Sequence, residues 1–158
     1  MAGGSAKKRS GDPAGRTLIA NRKARFEFMI LERFEAGIVL MGSEVKSLRT
    51  GRASLQESYV RIQEGEAWWI KGTIEEFPGS RHFGHDPKRR RKLLLRKHEI
   101  RKLHARVKEK GLTLVPLRIY LSERNLIKME IGLAKGKKVR DKREEARRKI
   151  DRREMRDY

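Results

Sequence analysis

The side chains able to make or break bonds are few and poorly placed for it. Three carboxylates, Glu35, Glu44 and Asp86, are scattered among positions suited to capping or to orienting a neighbour. A two-metal nuclease needs carboxylates that converge on one point, and this spacing argues against it. His82 with His85, or His98 with His104, could hold zinc only with further ligands, and the chain has no cysteine to supply them. Residues 132–138, Gly-Leu-Ala-Lys-Gly-Lys-Lys, suggest a phosphate loop. However, three residues separate the glycines where four are needed, and Lys138 stands where a magnesium-binding hydroxyl belongs. The stretch reads better as a flexible basic hinge. No nucleophile has a plausible base beside it, so no catalytic residue, metal or cofactor is expected.

What remains is charge. The 158 residues hold 41 Lys plus Arg against 21 Asp plus Glu, a net +20, which calls for a polyanionic partner. RNA, DNA and anionic lipid all qualify. Lipid is the weakest, because no basic stretch carries a wide apolar face. No apolar run has spanning length and no signal-peptide core follows the charged start, so a cytoplasmic protein is expected. Asn21-Arg22-Lys23-Ala24-Arg25 is either a solvated charge run or a phosphate contact. The second is preferred because the run abuts a strand and begins with a residue able to bond bases or sugars. Lys88 to Lys92 leaves the same two readings open.

Those residues need elements to carry them. Residues 1–20 are rich in Gly, Ser and Lys without apolar period and are expected to be disordered. Phe26, Phe28 and Ile30 suggest a first strand, and Ile38 to Met41 a short buried one. After Gly42, Ser43 is a candidate N-cap, Glu44 suits the helix dipole, and Val45 with Leu48 forms a narrow apolar edge closed by Gly51. So short a helix must plug something, most plausibly the end of a curled sheet. Residues 63–66 form a hairpin turn leading into Trp68-Trp69-Ile70. One tryptophan is core; the other is covered by the loop from Pro78 to Pro87 or offers a stacking platform. Asp86-Pro87 can start a helical segment in which Leu93, Ile100, Leu103 and Val107 form one stripe. Leu112 to Leu121 is a strand with Val115, Leu117, Ile119 and Leu121 on one face, and Pro116 marks an edge or bulge. Ile127, Met129 and Ile131 alternate with Lys128 and Glu130, which turns Lys128 away from the core. From Gly136 the chain is nearly all charge. Pairs such as Glu144 with Arg148 add only about 0.2 to 0.5 kcal/mol each, too little to nucleate a solitary helix. The tail is expected to be disordered when free and helical on a polyanion.

The run from Glu35 to Arg49, continued by Gly51, Ser58-Tyr59-Val60, Asp86-Pro87, Arg91 to Leu95 and Gly132 to Lys138, resembles the SsrA-binding protein family, also called small protein B. The resemblance covers nearly everything after Asn21. It implies a non-enzymatic adaptor that binds the tRNA-like domain of transfer-messenger RNA and brings it to stalled ribosomes for trans-translation. It also implies that positions matching Asn21, Glu35, Leu95 and Lys128 belong to the RNA surface. The family's tail enters the decoding region beside small-subunit rRNA, and its Asp-Lys-Arg matches Asp141, Lys142 and Arg143. Arg140 stands where some relatives carry a ring, and a guanidinium also stacks on bases.

The expected architecture is α+β, an antiparallel barrel of about six strands near the oligonucleotide-binding fold with two or three helices. An RNA-binding domain spans 21–135 and a basic tail 136–158. The expected RNA contacts are Asn21, Arg22, Lys23, Arg25, Glu35, Leu95 and Lys128. The expected ribosome contacts are Gly136, Lys137, Lys138, Arg140, Asp141, Lys142 and Arg143, in a protein monomeric with its RNA. The competing class is a structural ribosomal protein or general RNA binder.

Overall fold

The computed structural model describes residues 15–76, 78, 84–109, 111–137, 143 and 146–150. Among the described residues up to Lys137, nine strands and three helices follow one another as β1 (Arg16–Ala20), α1 (Arg22–Glu27), β2 (Phe28–Ile38), α2 (Gly42–Arg49), β3 (Ala53–Ser54), β4 (Tyr59–Gln63), β5 (Glu66–Ile70), β6 (Thr73–Ile74), β7 (Arg91–Leu94), α3 (Lys97–Val107), β8 (Leu112–Leu121) and β9 (Ile127–Gly136). Six strands form a ring in the order β8-β4-β5-β7-β2-β9, closed by pairing of β9 with β8. All pairings are antiparallel, and β1 extends the sheet from the far half of β8. The long strands bend at bulges between Ile30 and Glu32 and between Pro116 and Arg118. Bulges sharpen twist locally, and this curvature lets so few strands close on themselves.

The ring encloses Trp69, Leu93, Leu114, Ile119, Met129, Ile131 and Leu133, with α2 contributing Leu48 and α3 contributing Leu103. A smaller cluster lies outside the ring, where Ala24 of α1 covers Val115, Leu117 and Ala134. The 63–66 hairpin is tight: Glu64 and Gly65 both take positive φ, 52° and 74°, matching the twist of β4 and β5.

Several expectations are corrected. Residues 16–20 are not disordered but form β1, held by β8 at Arg118 to Leu121. Phe26 belongs to α1, because the Asn21 side chain accepts from the Ala24 N–H and caps a helix there. The strand expected at Ile38 to Met41 ends at Ile38, leaving Val39 and Met41 exposed. Ser43 does not cap α2; the Glu44 carboxylate reaches back to the Met41 N–H instead. Leu93 lies in β7, and the helix begins only at Lys97. Its seven-residue spacing to Ile100 is coincidental, since Ala67 and Ile38 claim it from either side of the sheet. The bulge at Pro116 splits the expected face of β8, sending Val115 and Leu117 under α1 and Ile119 into the ring. Residues 132–136 are no hinge: they complete β9, and a Cβ at Gly132 would press on Leu117 and Ile30.

The α2 plug is held by charge. Glu44 and Arg91 are both fully buried, with Arg91 Nε donating to Glu44 Oε2 at 2.5 Å. Arg89 binds the other carboxylate oxygen at 2.5 Å, and Arg91 also donates to the Gly72 and Pro87 carbonyls. Burial pushes the Glu44 carboxyl up, but hydrogen bonds from Arg89, the Met41 N–H and Arg91 outweigh it and leave the group below its ordinary value. Next to it His85 is buried between Ser43 Oγ at 2.8 Å and the Ile74 carbonyl at 2.7 Å. A carbonyl only accepts, so Nε2 carries a hydrogen and the ring bridges Ser43 and Ile74.

Candidate nucleic-acid interface

The outer face of β8, β9 and β2, with α1 beside it, gathers most of the expected RNA contacts. Asn21 fixes α1 to the ring: its backbone N–H donates to the Leu117 carbonyl and its Nδ2 to the Pro116 carbonyl, 2.8 and 2.9 Å. Its amide is thus spent largely on structure. The helix it caps presents Arg22, Lys23 and Arg25 to solvent. Lys137, directly after β9, ties down the other end of α1, donating from Nζ to the Arg25 carbonyl and from its backbone to Glu27.

Charges on the strands are held in pairs. Glu130, nearly buried, accepts from Arg33 at 3.1 Å and from Arg118 at 3.0 Å, and Arg118 also donates to Thr17 Oγ1. One step along the sheet Lys128 bonds Glu35 at 2.9 Å. The Lys128 ammonium, with Tyr120 and Arg118 behind it, holds the Glu35 carboxyl below its ordinary value against the opposing effect of burial. Arg118 lies over the Tyr120 ring, 4.4 Å from its centroid. The Tyr120 hydroxyl is buried beside Glu35 without a hydrogen bond of regular geometry; burial and then the Glu35 charge push its pKa well up. Between α1, β1 and these strands lies a cleft of about 350 Å³, bordered by Asn21, Arg22, Arg25, Arg33, Arg118 and Glu130.

Leu95 stands apart. It follows β7, half-buried against the core, while Leu94 opposes Gly37 and is exposed. Since Gly37 pairs with Lys128 on its other side, Leu94 rather than Leu95 borders this face directly. Sequence reasoning missed Thr17, Arg33 and Glu130 as parts of the site. The alternation that turns Lys128 outward does the same for Glu130, so that one was within reach.

In the tail, Gly136 ends β9, exposed, and Arg143 and residues 146–150 are helical. Lys138, Arg140, Asp141 and Lys142 lie outside the described residues, as does His82. Among the described residues no three His, Asp or Glu cluster as metal ligands, and no helix is long and apolar enough to cross a membrane. His98 and His104 are exposed on α3.

The model of the SmpB protein family matches residues 18–158. The chain belongs to the SmpB family. It is 52% identical over 124 residues to the SsrA-binding protein of Rhizobium johnstonii, covering 78% of this chain and 82% of that one. It is 51% identical over 137 residues to the SsrA-binding protein of Chlorobaculum tepidum, covering 87% of both. Its fold matches a chain in the solved structure described as "tmRNA-SmpB: a journey to the center of the bacterial ribosome", with TM-score 0.66, 48% identity, and 77% and 85% of the two chains covered. The six-stranded ring with its helices is the fold of the SmpB family.

Proposed function

We propose that this chain is a non-enzymatic RNA adaptor that binds transfer-messenger RNA and accompanies it to stalled ribosomes for trans-translation. Membership of the SmpB family carries this reading, and the charge-paired outer face of β8, β9 and β2 supports it. The domain from 21 to 135 grips the tRNA-like part of the RNA. Arg22, Lys23 and Arg25 meet phosphates, while Lys128, held by Glu35, and the rim where exposed Leu94 borders it, with Leu95 packed behind, meet its folded surface. Asn21 acts by anchoring α1. The tail, Gly136 and Lys137 at its root and Lys138, Arg140, Asp141, Lys142 and Arg143 beyond, probes the empty decoding site, docking against small-subunit rRNA. The protein works in the cytoplasm, as a monomer on its RNA, with no membrane, metal or cofactor.

The test is a competition titration of the tRNA-like domain against unrelated structured RNA at moderate salt, where counterion-driven binding is suppressed. Strong preference for the tRNA-like domain is expected. Equal affinity would overturn the reading in favour of a general RNA binder. Truncation after Lys137, which spares the bonds from that residue to α1, is expected to leave RNA affinity nearly intact and to abolish tagging.

A further inference from the structure

In the ring order β8-β4-β5-β7-β2-β9, β5 lies diametrically opposite β9, so their outer faces look in opposite directions. The face around β5 is also basic and carries an aromatic. Pairing aligns Arg61 of β4, Trp68 of β5 and Lys92 of β7 side by side, and alternation turns all three outward while Trp69 is buried. Among the described residues, the guanidinium of Arg90 covers the half-exposed Trp68, 4.1 Å from the ring centroid; residues 79–83 of the loop from Pro78 to Pro87 expected to cover it lie outside the described residues. Arg90 is itself exposed, and among the described residues its one other side-chain bond is a long one, 3.4 Å to Gln63 Oε1. Lys92 is matched by Glu66 at 2.9 Å, whereas Arg61 has no ion-pair partner among the described residues.

We propose that this face is a second RNA surface, on which an unpaired base stacks on the Trp68 indole in the place Arg90 occupies. A guanidinium and a nucleobase are both planar and lie flat on an aromatic ring, so one substitutes for the other without rearranging the sheet. The displaced Arg90, together with Arg61, is then free to pair with the phosphates flanking that base. The local excess of positive charge selects a polyanion, and the open indole selects one with exposed bases. Single-stranded or loop RNA fits both requirements; an acidic peptide fits only the first. This surface and the Lys128 face bind independently, so one chain bridges two RNA segments.

The full chain, first saturated with the tRNA-like domain, is titrated with short oligoadenylate while tryptophan emission is followed. Because Trp69 is sealed in the core, quenching reports on Trp68. Quenching with the first RNA still bound is expected. By fluorescence anisotropy of end-labelled oligoadenylate, which needs no tryptophan, Trp68→Ala weakens the oligonucleotide about ten-fold, Trp68→Phe restores most of it, and affinity for the tRNA-like domain is unchanged in both. Arg61→Glu, at an exposed position where folding is not at stake, weakens it several-fold and flattens its salt dependence. Displacement of one RNA by the other, unchanged oligonucleotide affinity in Trp68→Ala, or quenching by polyglutamate in place of RNA would each overturn the proposal. Loss of preference for the tRNA-like domain with quenching intact would instead strike only the function proposed above.

Discussion

Removing the Glu44 carboxylate tests whether the α2 plug is held by charge. In Glu44→Ala the fully buried Arg91 loses its counter-ion, Arg89 loses its anchor, and the Met41 N–H loses its cap. Breaking a buried pair by removing one partner costs about 3 to 5 kcal/mol, because the remaining charge stays desolvated. Total stability for a domain of this kind is roughly 5 to 15 kcal/mol, so the loss is a large fraction of the whole. At about 2 to 4 °C per kcal/mol, the melting temperature should fall by roughly 10 °C. Thermal unfolding followed by circular dichroism reads this directly. A companion variant, Glu44→Leu with Arg91→Met, removes both charges and should recover at least half of the loss, since an apolar pair pays no desolvation. A fall of less than about 3 °C in Glu44→Ala, or a double variant as unstable as the sum of the two single changes, would refute the reasoning.

Acid should act through the same group. Glu44 titrates in the folded chain below its ordinary value of 4.5, so its contribution is present above about pH 4.5 and lost as pH falls through the folded value; urea midpoints should drop in that window and much less in Glu44→Gln. Asn21→Ala removes a helix cap and a bond to the Pro116 carbonyl, and should cost about 1 to 2 kcal/mol in urea unfolding. It should also weaken RNA binding, because α1 no longer holds its cations still. At Gly72 a Cβ would fall 2.0 Å from Trp69 ring atoms, so Gly72→Ala should destabilise by about 1 to 3 kcal/mol or more and shift Trp69 emission. Glu35→Ala frees Lys128 and raises the net charge, so binding to unrelated RNA should strengthen while affinity for the tRNA-like domain falls, measured in parallel titrations.

What could be seen before the structure was whatever depends on local pattern. The span Leu112 to Leu121 is apolar at most positions and matches β8 end to end, and the Glu64-Gly65 turn follows from conformational preference alone. The misplacements share one cause, tertiary partners that local pattern does not contain. Residues 16–20 carry Leu18 and Ile19 without an apolar period around them, and form a strand because β8 offers them unpaired backbone and the core takes both side chains. Asn21 caps a helix whose other anchor lies 95 residues away, at Pro116. Glu44 reads in the sequence only as a carboxylate suited to the helix dipole; the fold alone carries Arg89 and Arg91 across to bury it. The motifs that mark the SmpB family needed no such assembly, which is why family was legible where several element boundaries were not.

The acidic residues of the proposed RNA face then acquire a physical role that net charge hides. A chain at +20 would attract any polyanion, and loose surface cations would do so without regard to shape. Glu130 draws Arg33 and Arg118 into one fixed arrangement, and Glu35 does the same for Lys128. Each carboxylate gives up some Coulomb attraction to the backbone of an RNA. In return the cations lose less side-chain freedom on binding and stand at set spacings, so only an RNA whose phosphates match those spacings recovers the full attraction. Specificity of this kind is a difference between partners rather than a gain for one, and it places the discriminating power of the surface in its anions.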